Sequence, residues 1–206
     1  MASVLVVYGT TEGQTRKIAH FVGHVARQLG HAATVLDASL DPAPEGHDAV
    51  IVAASVHQLR HQSAVMHFAA EHRHLLNTLP TAFFSVSLAA ALDDPHHQVE
   101  AREVADELLA ETRWQPQMVR LVAGALLYSK YDWMKRMLMQ MIARHDGRDT
   151  DTSRDWEYTD WERLRGDVEQ FLALVPAASP SDVAPPAEAA EPAIAELAST
   201  LAAAPG

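Results

Sequence analysis

Five apolar runs of strand length are interleaved with four segments of helical period before residue 175, and this alternation fixes what the chain folds into. Ser3 to Tyr8 is a continuous apolar run with β-branched residues, as a strand buried on both faces requires. Ile18, Ala19, Val22, Val25, Ala26 and Leu29 then form one helical stripe that stops at Gly30. "AATVLDA" and "DAVIVAASV" read as the second and third strands, Ser63 to Leu76 as the second helix, and "TAFFSVSL" as the fourth strand. Val99 to Thr112 reads as the third helix and "MVRLVAGAL" as the fifth strand. "TDWERLRGDVEQFLALV" is the closing amphipathic helix, with Thr159 and Glu162 spaced as a capping box. Strand–helix alternation of this kind implies an α/β fold: a doubly wound, five-stranded parallel sheet covered by helices on both faces. Ligands in such folds sit beyond the carboxyl ends of the strands.

Two segments break the alternation. Residues 126–158 form a helical insertion near the fifth strand, where a connection of roughly 2–6 residues is usual. Residues 176–206 are almost wholly Ala, Pro, Ser and Glu, without Lys, Arg or an aromatic, and are expected to form a disordered tail. The domain is therefore expected to span residues 1–175.

Composition removes several function classes. The net charge of −11 argues against nucleic acid as a partner, because phosphate neutralisation needs concentrated basic surface. No cysteine is present, so thiolate catalysis, disulfides and cysteine-ligated metal sites are excluded. "MASVLVVYG" lacks the basic start of a signal peptide, and no apolar run reaches the ~18 residues of a spanning helix. Among the 12 histidines, "HQLRHQ", "HRH" and "HH" lack a matched carboxylate or a coherent ligand set, so no metal is expected.

The loop "YGTTEGQT" carries the first chemical signal. A helix start after a strand offers unpaired N–H groups and a positive dipole end, and Thr10, Thr11 and Thr15 add hydroxyl donors while Gly13 permits close backbone approach. The same residues could simply cap the helix. Neither the Gly-x-Gly-x-x-Gly of dinucleotide sites nor the Gly-Lys-Ser/Thr of nucleoside triphosphate loops is present.

That loop resembles the phosphate loop of flavodoxins. Together with "LPTAFFSVSLAA", "VAGALLYSKYDWMKRMLM", "DTDT" and "YTDWE", it resembles the flavodoxin-like menaquinone-dependent protoporphyrinogen IX dehydrogenases from residue 3 to about 174. The resemblance implies that FMN is the cofactor and that Thr10, Thr11, Glu12, Gly13, Gln14 and Thr15 hold its phosphate, with Glu12 where flavodoxins often have Thr. It implies that Ser85, Val86, Ser87 and Leu88 border the flavin ring, as does the loop opening with Ser55, Val56 and His57. That loop departs from the family pattern by carrying His57, Gln58, Leu59, Arg60 and His61 where aromatic residues are usual. His57 and His61 belong either to a solvent-facing polar loop or to the flavin border, and Arg60 could bind a substrate propionate.

Residues 128–144, "YSKYDWMKRMLMQMIAR", place Trp133, Met134, Met137, Leu138, Met141 and Ile142 on one helical stripe with Lys135, Arg136 and Arg144 off it. The stripe suits either packing on the protein's own sheet or a helix lying in a membrane interface. Family resemblance favours the membrane surface, with protoporphyrinogen IX as substrate and menaquinone or ubiquinone as acceptor. It places the protein in the cytoplasm, peripherally on the inner face of the membrane. The alternative is a flavodoxin-type electron carrier with no substrate of its own, or a module that has lost its flavin. No residue stands out as a catalytic acid or base.

Overall fold

The computed structural model describes residues 1–92, 94–126 and 156–176. The interfacial stripe read at 128–144 and the tail from residue 177 onward lie outside the described residues.

Strands β1 (Ser3–Gly9), β2 (Ala32–Asp37), β3 (Ala49–His57), β5 (Thr81–Ser87) and β6 (Met118–Ala123) run parallel in the order β2-β1-β3-β5-β6. The two-residue β4 (Arg60–His61) pairs antiparallel with the end of β3. Helices α1 (Gln14–Gln28), α2 (Ser63–Glu71), α3 (Arg73–Leu76), α4 (Pro95–Thr112) and α5 (Trp161–Leu172) complete the layers.

The double burial inferred from the strand sequences is what the two cores show. Val6, Ile51 and Phe84 pack with Ile18 and Val22 of α1 and Leu164 and Phe171 of α5. Their strand neighbours Leu5, Val52 and Phe83 point the other way, onto Val65 and Phe68 of α2, Leu108 of α4 and Trp114. Each fully buried large side chain contributes roughly 1.5–3 kcal/mol of transfer free energy, so both faces drive the sheet's position.

The registers bring one edge of the sheet level. Gly9 pairs with Ala54, Ser55 with Val86, and Ser87 with Ala123, so the loops leaving β1, β3, β5 and β6 rise side by side. The chain moves outward from β1 to β2 and crosses back to β3, which makes the gap above β1 and β3 the switch point where ligands of doubly wound sheets bind.

Several boundaries differ from the sequence reading. The segment 63–76 forms two helices that meet at His72. Helix α4 begins four residues before Val99, because Asp94 Oδ1 accepts from His96 N at 2.8 Å and Pro95 suits the first turn. The apolar run 118–126 breaks at Gly124, and β7 (Ala125–Leu126) turns to pair antiparallel with β8 (Trp156–Glu157). The insertion thus leaves and re-enters the domain through one short ribbon. The residue capping α5 is Asp160, whose Oδ1 accepts from Arg163 N at 3.0 Å, rather than Thr159. Thr159 Oγ1 instead donates to Ala123 O at 2.8 Å.

Candidate cofactor site

At the end of β1 the chain makes a tight loop whose geometry depends on two residues. Gly13 has φ of 94°, a conformation that disfavours any side chain, and stands at the start of α1. Its N–H donates to Thr10 Oγ1 at 2.9 Å, which leaves the Thr10 hydroxyl proton able to donate elsewhere. Thr15, one residue inside α1, is 1 % exposed, and its Oγ1 has no hydrogen-bond partner among the described residues. A buried hydroxyl without a partner costs about 1–3 kcal/mol, and this one sits in the first turn of α1, whose leading N–H groups have no acceptor within the helix. An anion at this loop would satisfy both. The donors therefore fit the phosphate of FMN.

Gln14 is committed differently. Its Nε2 donates to Thr159 Oγ1 at 3.0 Å, tying the loop to the segment that caps α5 and, through Thr159, to the end of β6.

The loop after β3, which the sequence left as either a solvent-facing polar loop or a border of the flavin, is a β-hairpin. Val56 pairs with His61 and His57 with Arg60, and the two turn residues have φ of 50° (Gln58) and 60° (Leu59). A two-residue hairpin of this type I′ form needs positive φ at both positions, which Asn and Gly ordinarily supply. With Gln and Leu each position costs of order 1–3 kcal/mol, and strain of that kind collects at functional sites.

Phosphate loop and hairpin tip open onto one cavity of about 320 Å³. Thr10, Thr11, Glu12, Gln14 and Thr15 line one end, Ser55, Val56 and His57 a second wall, and Val86, Ser87 and Leu88 a third. Of the residues that the family resemblance assigned to the cofactor, two lie outside the lining. Gly13 contributes backbone shape alone, and Ser85 points beneath the sheet, where its Oγ lies 3.1 Å from His61 Nε2. The strand period of two explains Ser85: its neighbours Phe84 and Val86 belong to the opposite face.

Some of the lining was missed. Glu100, Ala101 and Val104 of α4 close the cavity from the side, and Gly124 and Ala125 stand at its far edge. A Cβ on Gly124 would lie 3.4 Å from Val86 Cγ1, at ordinary contact distance from the cavity wall. Gln62 was missed as well. Its Nε2 donates to Thr11 Oγ1 at 3.0 Å and also to Ser55 Oγ, so one side chain links the phosphate loop to the hairpin. Gly9 makes room for it, since a Cβ there would collide with Val65 and lie 3.2 Å from Gln62 Oε1.

His61 is neither solvent-facing nor part of the first cavity's lining. It is buried with its ring edge-on to Phe83 at 5.3 Å, and burial lowers its pKa from 6.5 to about 4. Its imidazole is neutral at pH 7. Arg60 is exposed and stands away from this cavity. Among the described residues no group of three or more His, Asp or Glu side chains is placed to hold a metal.

Comparison with known proteins gives this geometry a context. Residues 5–153 match the family model described as "Flavodoxin domain". A protoporphyrinogen IX dehydrogenase (quinone) from Escherichia coli (strain K12) is 33 % identical over 172 residues, covering 82 % of this chain and 94 % of the relative. A protein of the same name from Leishmania major is 31 % identical over 182 residues, covering 85 % and 77 %. Among solved structures, a short-chain flavodoxin associated with a bacterial microcompartment superimposes with a TM-score of 0.52 at 13 % identity, covering 85 % of this chain and all of that one. A Streptococcus pneumonia TIGR4 flavodoxin gives 0.51 at 18 % identity, covering 84 % and 99 %. The structural neighbours share the fold. With the family model and the relatives' matches added, the chain belongs to the flavodoxin domain family and, within it, to the oxidoreductases named protoporphyrinogen IX dehydrogenase (quinone).

Proposed function

We propose that this protein binds FMN and oxidises protoporphyrinogen IX to protoporphyrin IX in heme biosynthesis, delivering the electrons to a membrane menaquinone or ubiquinone. The observation that carries the FMN assignment is the partnerless, buried Thr15 Oγ1 at the start of α1, in a cavity that continues to the hairpin tip. The names of the relatives support the substrate and the acceptor.

In this reading Thr10, Thr11 and Thr15 donate to the phosphate, aided by the N-terminal dipole of α1. Val56, Leu88 and the hairpin tip, which line the same cavity, would hold the ring by apolar contact and keep water from it. FMN supplies a reversible electron-pair acceptor between the two substrates. Each oxidation step removes a hydride equivalent and a proton from the macrocycle, and the same electron pair with protons from solvent converts quinone to hydroquinone. No acid or base is assigned to these proton steps.

Membrane contact belongs to the proposal too. Residues 128–144 carry an apolar stripe flanked by Lys135, Arg136 and Arg144, suited to an interface with anionic lipid on the inner face of the cell membrane. Sedimentation with liposomes containing anionic lipid tests it: deletion of 130–145 should abolish co-sedimentation and leave FMN bound. Co-sedimentation undiminished by the deletion would remove the segment's role.

A further inference from the structure

A second cavity of about 300 Å³ lies on the far side of the β3–β4 hairpin, enclosed by β4, α2 and α4. It shares Leu59 and Val104 with the cofactor cavity, so these two side chains form the partition between them. We propose that this second cavity is a separate binding site for the quinone head group, next to the cofactor but distinct from where the tetrapyrrole is oxidised. The proposal rests on the reading of the protein as a quinone-linked flavoprotein, and it gives the acceptor its own address.

The lining suits a small, flat, neutral carbonyl compound. Met66 and Leu108 supply apolar surface, and the thioether of Met66 adapts well to the face of a conjugated ring. His61 and Ser63 bring polar groups into the same lining. The His61 ring is held through Nε2 on Ser85 and edge-on against Phe83, which fixes its orientation and leaves Nδ1 clear of that bond. A quinone oxygen needs such a directed partner in an otherwise apolar pocket.

Charge decides against the other substrate. Glu107 and Glu111, both exposed, lie one helical turn apart on α4 and line the cavity, with Arg60 the one Lys or Arg beside them among the described residues. A substrate carrying propionates would meet net like charge there, whereas an uncharged quinone would not. Volume points the same way. Each cavity is near the lower end of the roughly 300–1,000 Å³ typical of small-molecule sites, so the first is occupied once it holds a flavin nucleotide. The redox step balances within this arrangement: the quinone takes an electron pair from the reduced cofactor across the Leu59–Val104 partition and a pair of protons from solvent, and leaves as hydroquinone.

Menadione, a quinone head group without the lipid tail, is the probe. Its affinity for the FMN-loaded protein is measured by equilibrium dialysis, with and without saturating protoporphyrin IX. The expected result is a dissociation constant unchanged by the porphyrin, and weakened about tenfold or more when the cavity is filled by Met66→Trp. FMN affinity should stay within about twofold in that variant. Ser63→Trp, at an exposed position on the same cavity, provides a second filled variant if Met66→Trp folds poorly. Displacement of menadione by protoporphyrin IX, or unchanged menadione binding in the filled variants, would overturn the separate site. Failure of the functional reading looks different: the protein would then neither bind protoporphyrin IX nor oxidise its reduced form, whatever menadione does.

Discussion

Gln62 Nε2 donates to Thr11 Oγ1 at 3.0 Å while also donating to Ser55 Oγ, joining the loop after β1 to the hairpin that follows β3. When the Thr11 hydroxyl donates to an anion, its oxygen becomes a better acceptor for Gln62, so occupancy at one end stiffens the other. Replacing Gln62 by Leu should weaken FMN binding by about tenfold, and the same change in a Thr11→Val background should add much less. Titration of protein fluorescence or flavin fluorescence against FMN gives both numbers. Fully additive losses would show that the two ends act independently.

A change at Thr15 tests the proposed phosphate contact apart from the rest of the ligand. Thr15→Val removes a buried hydroxyl that has no partner among the described residues, so the ligand-free protein should be as stable as the parent or slightly more so. FMN affinity should fall by roughly 1.5–3 kcal/mol, the worth of a hydrogen bond to a charged group. Riboflavin, which lacks the phosphate, should bind both proteins alike. An equal loss for riboflavin would place Thr15 elsewhere in the site.

Gln58 and Leu59 hold left-handed backbone without the residues that favour it. Converting the pair to Asn-Gly should raise stability by about 1 kcal/mol, read as a higher thermal midpoint of the ligand-free protein. FMN affinity should drop in the same variant, because Leu59 is lost from the cavity wall. A variant that gains nothing in stability would show that the turn carries no strain.

Acid should act through His61. Its folded pKa, lowered by burial to about 4, lies below the value of 6.5 of the exposed group. Above pH 6.5 neither folded nor unfolded chain binds this proton, and the neutral imidazole adds no pH dependence. As pH falls from 6.5 towards 4 the unfolded chain takes up the proton and the folded one does not, so stability is lost across that window by up to roughly 3 kcal/mol. Urea unfolding at stepped pH should show this slope in the parent protein and a flatter one in His61→Gln, which keeps a partner for Ser85.

Much of the frame was legible because double burial leaves a strong mark: "VLVVY" and "AVIVAA" have no polar residue to place in solvent, so they can only be central strands. The loop after β1 stood out as a candidate anion site because Thr10 and Thr15 flank Gly13, whose φ is positive. The β3–β4 hairpin was not, because Gln58 and Leu59 carry none of the usual turn chemistry and the tertiary setting overrides local preference. Thr159 looked like a helix cap by spacing, yet Ala123 O and Gln14 claim its hydroxyl and Asp160 takes the cap. Gln62 gave no signal at all: its partners Thr11 and Ser55 lie 51 and 7 residues away in sequence and meet it only after the sheet forms.

The central claim is that one flavin-loaded chain takes electrons from protoporphyrinogen IX and gives them to a quinone. Anaerobic mixing of FMN-loaded protein with protoporphyrinogen IX, following flavin absorbance and porphyrin fluorescence together, tests it most directly. The flavin should bleach as porphyrin appears, and menadione added afterwards should restore the flavin bands. A protein that binds FMN but whose flavin stays oxidised in the presence of protoporphyrinogen IX would contradict the account and leave an electron carrier in its place.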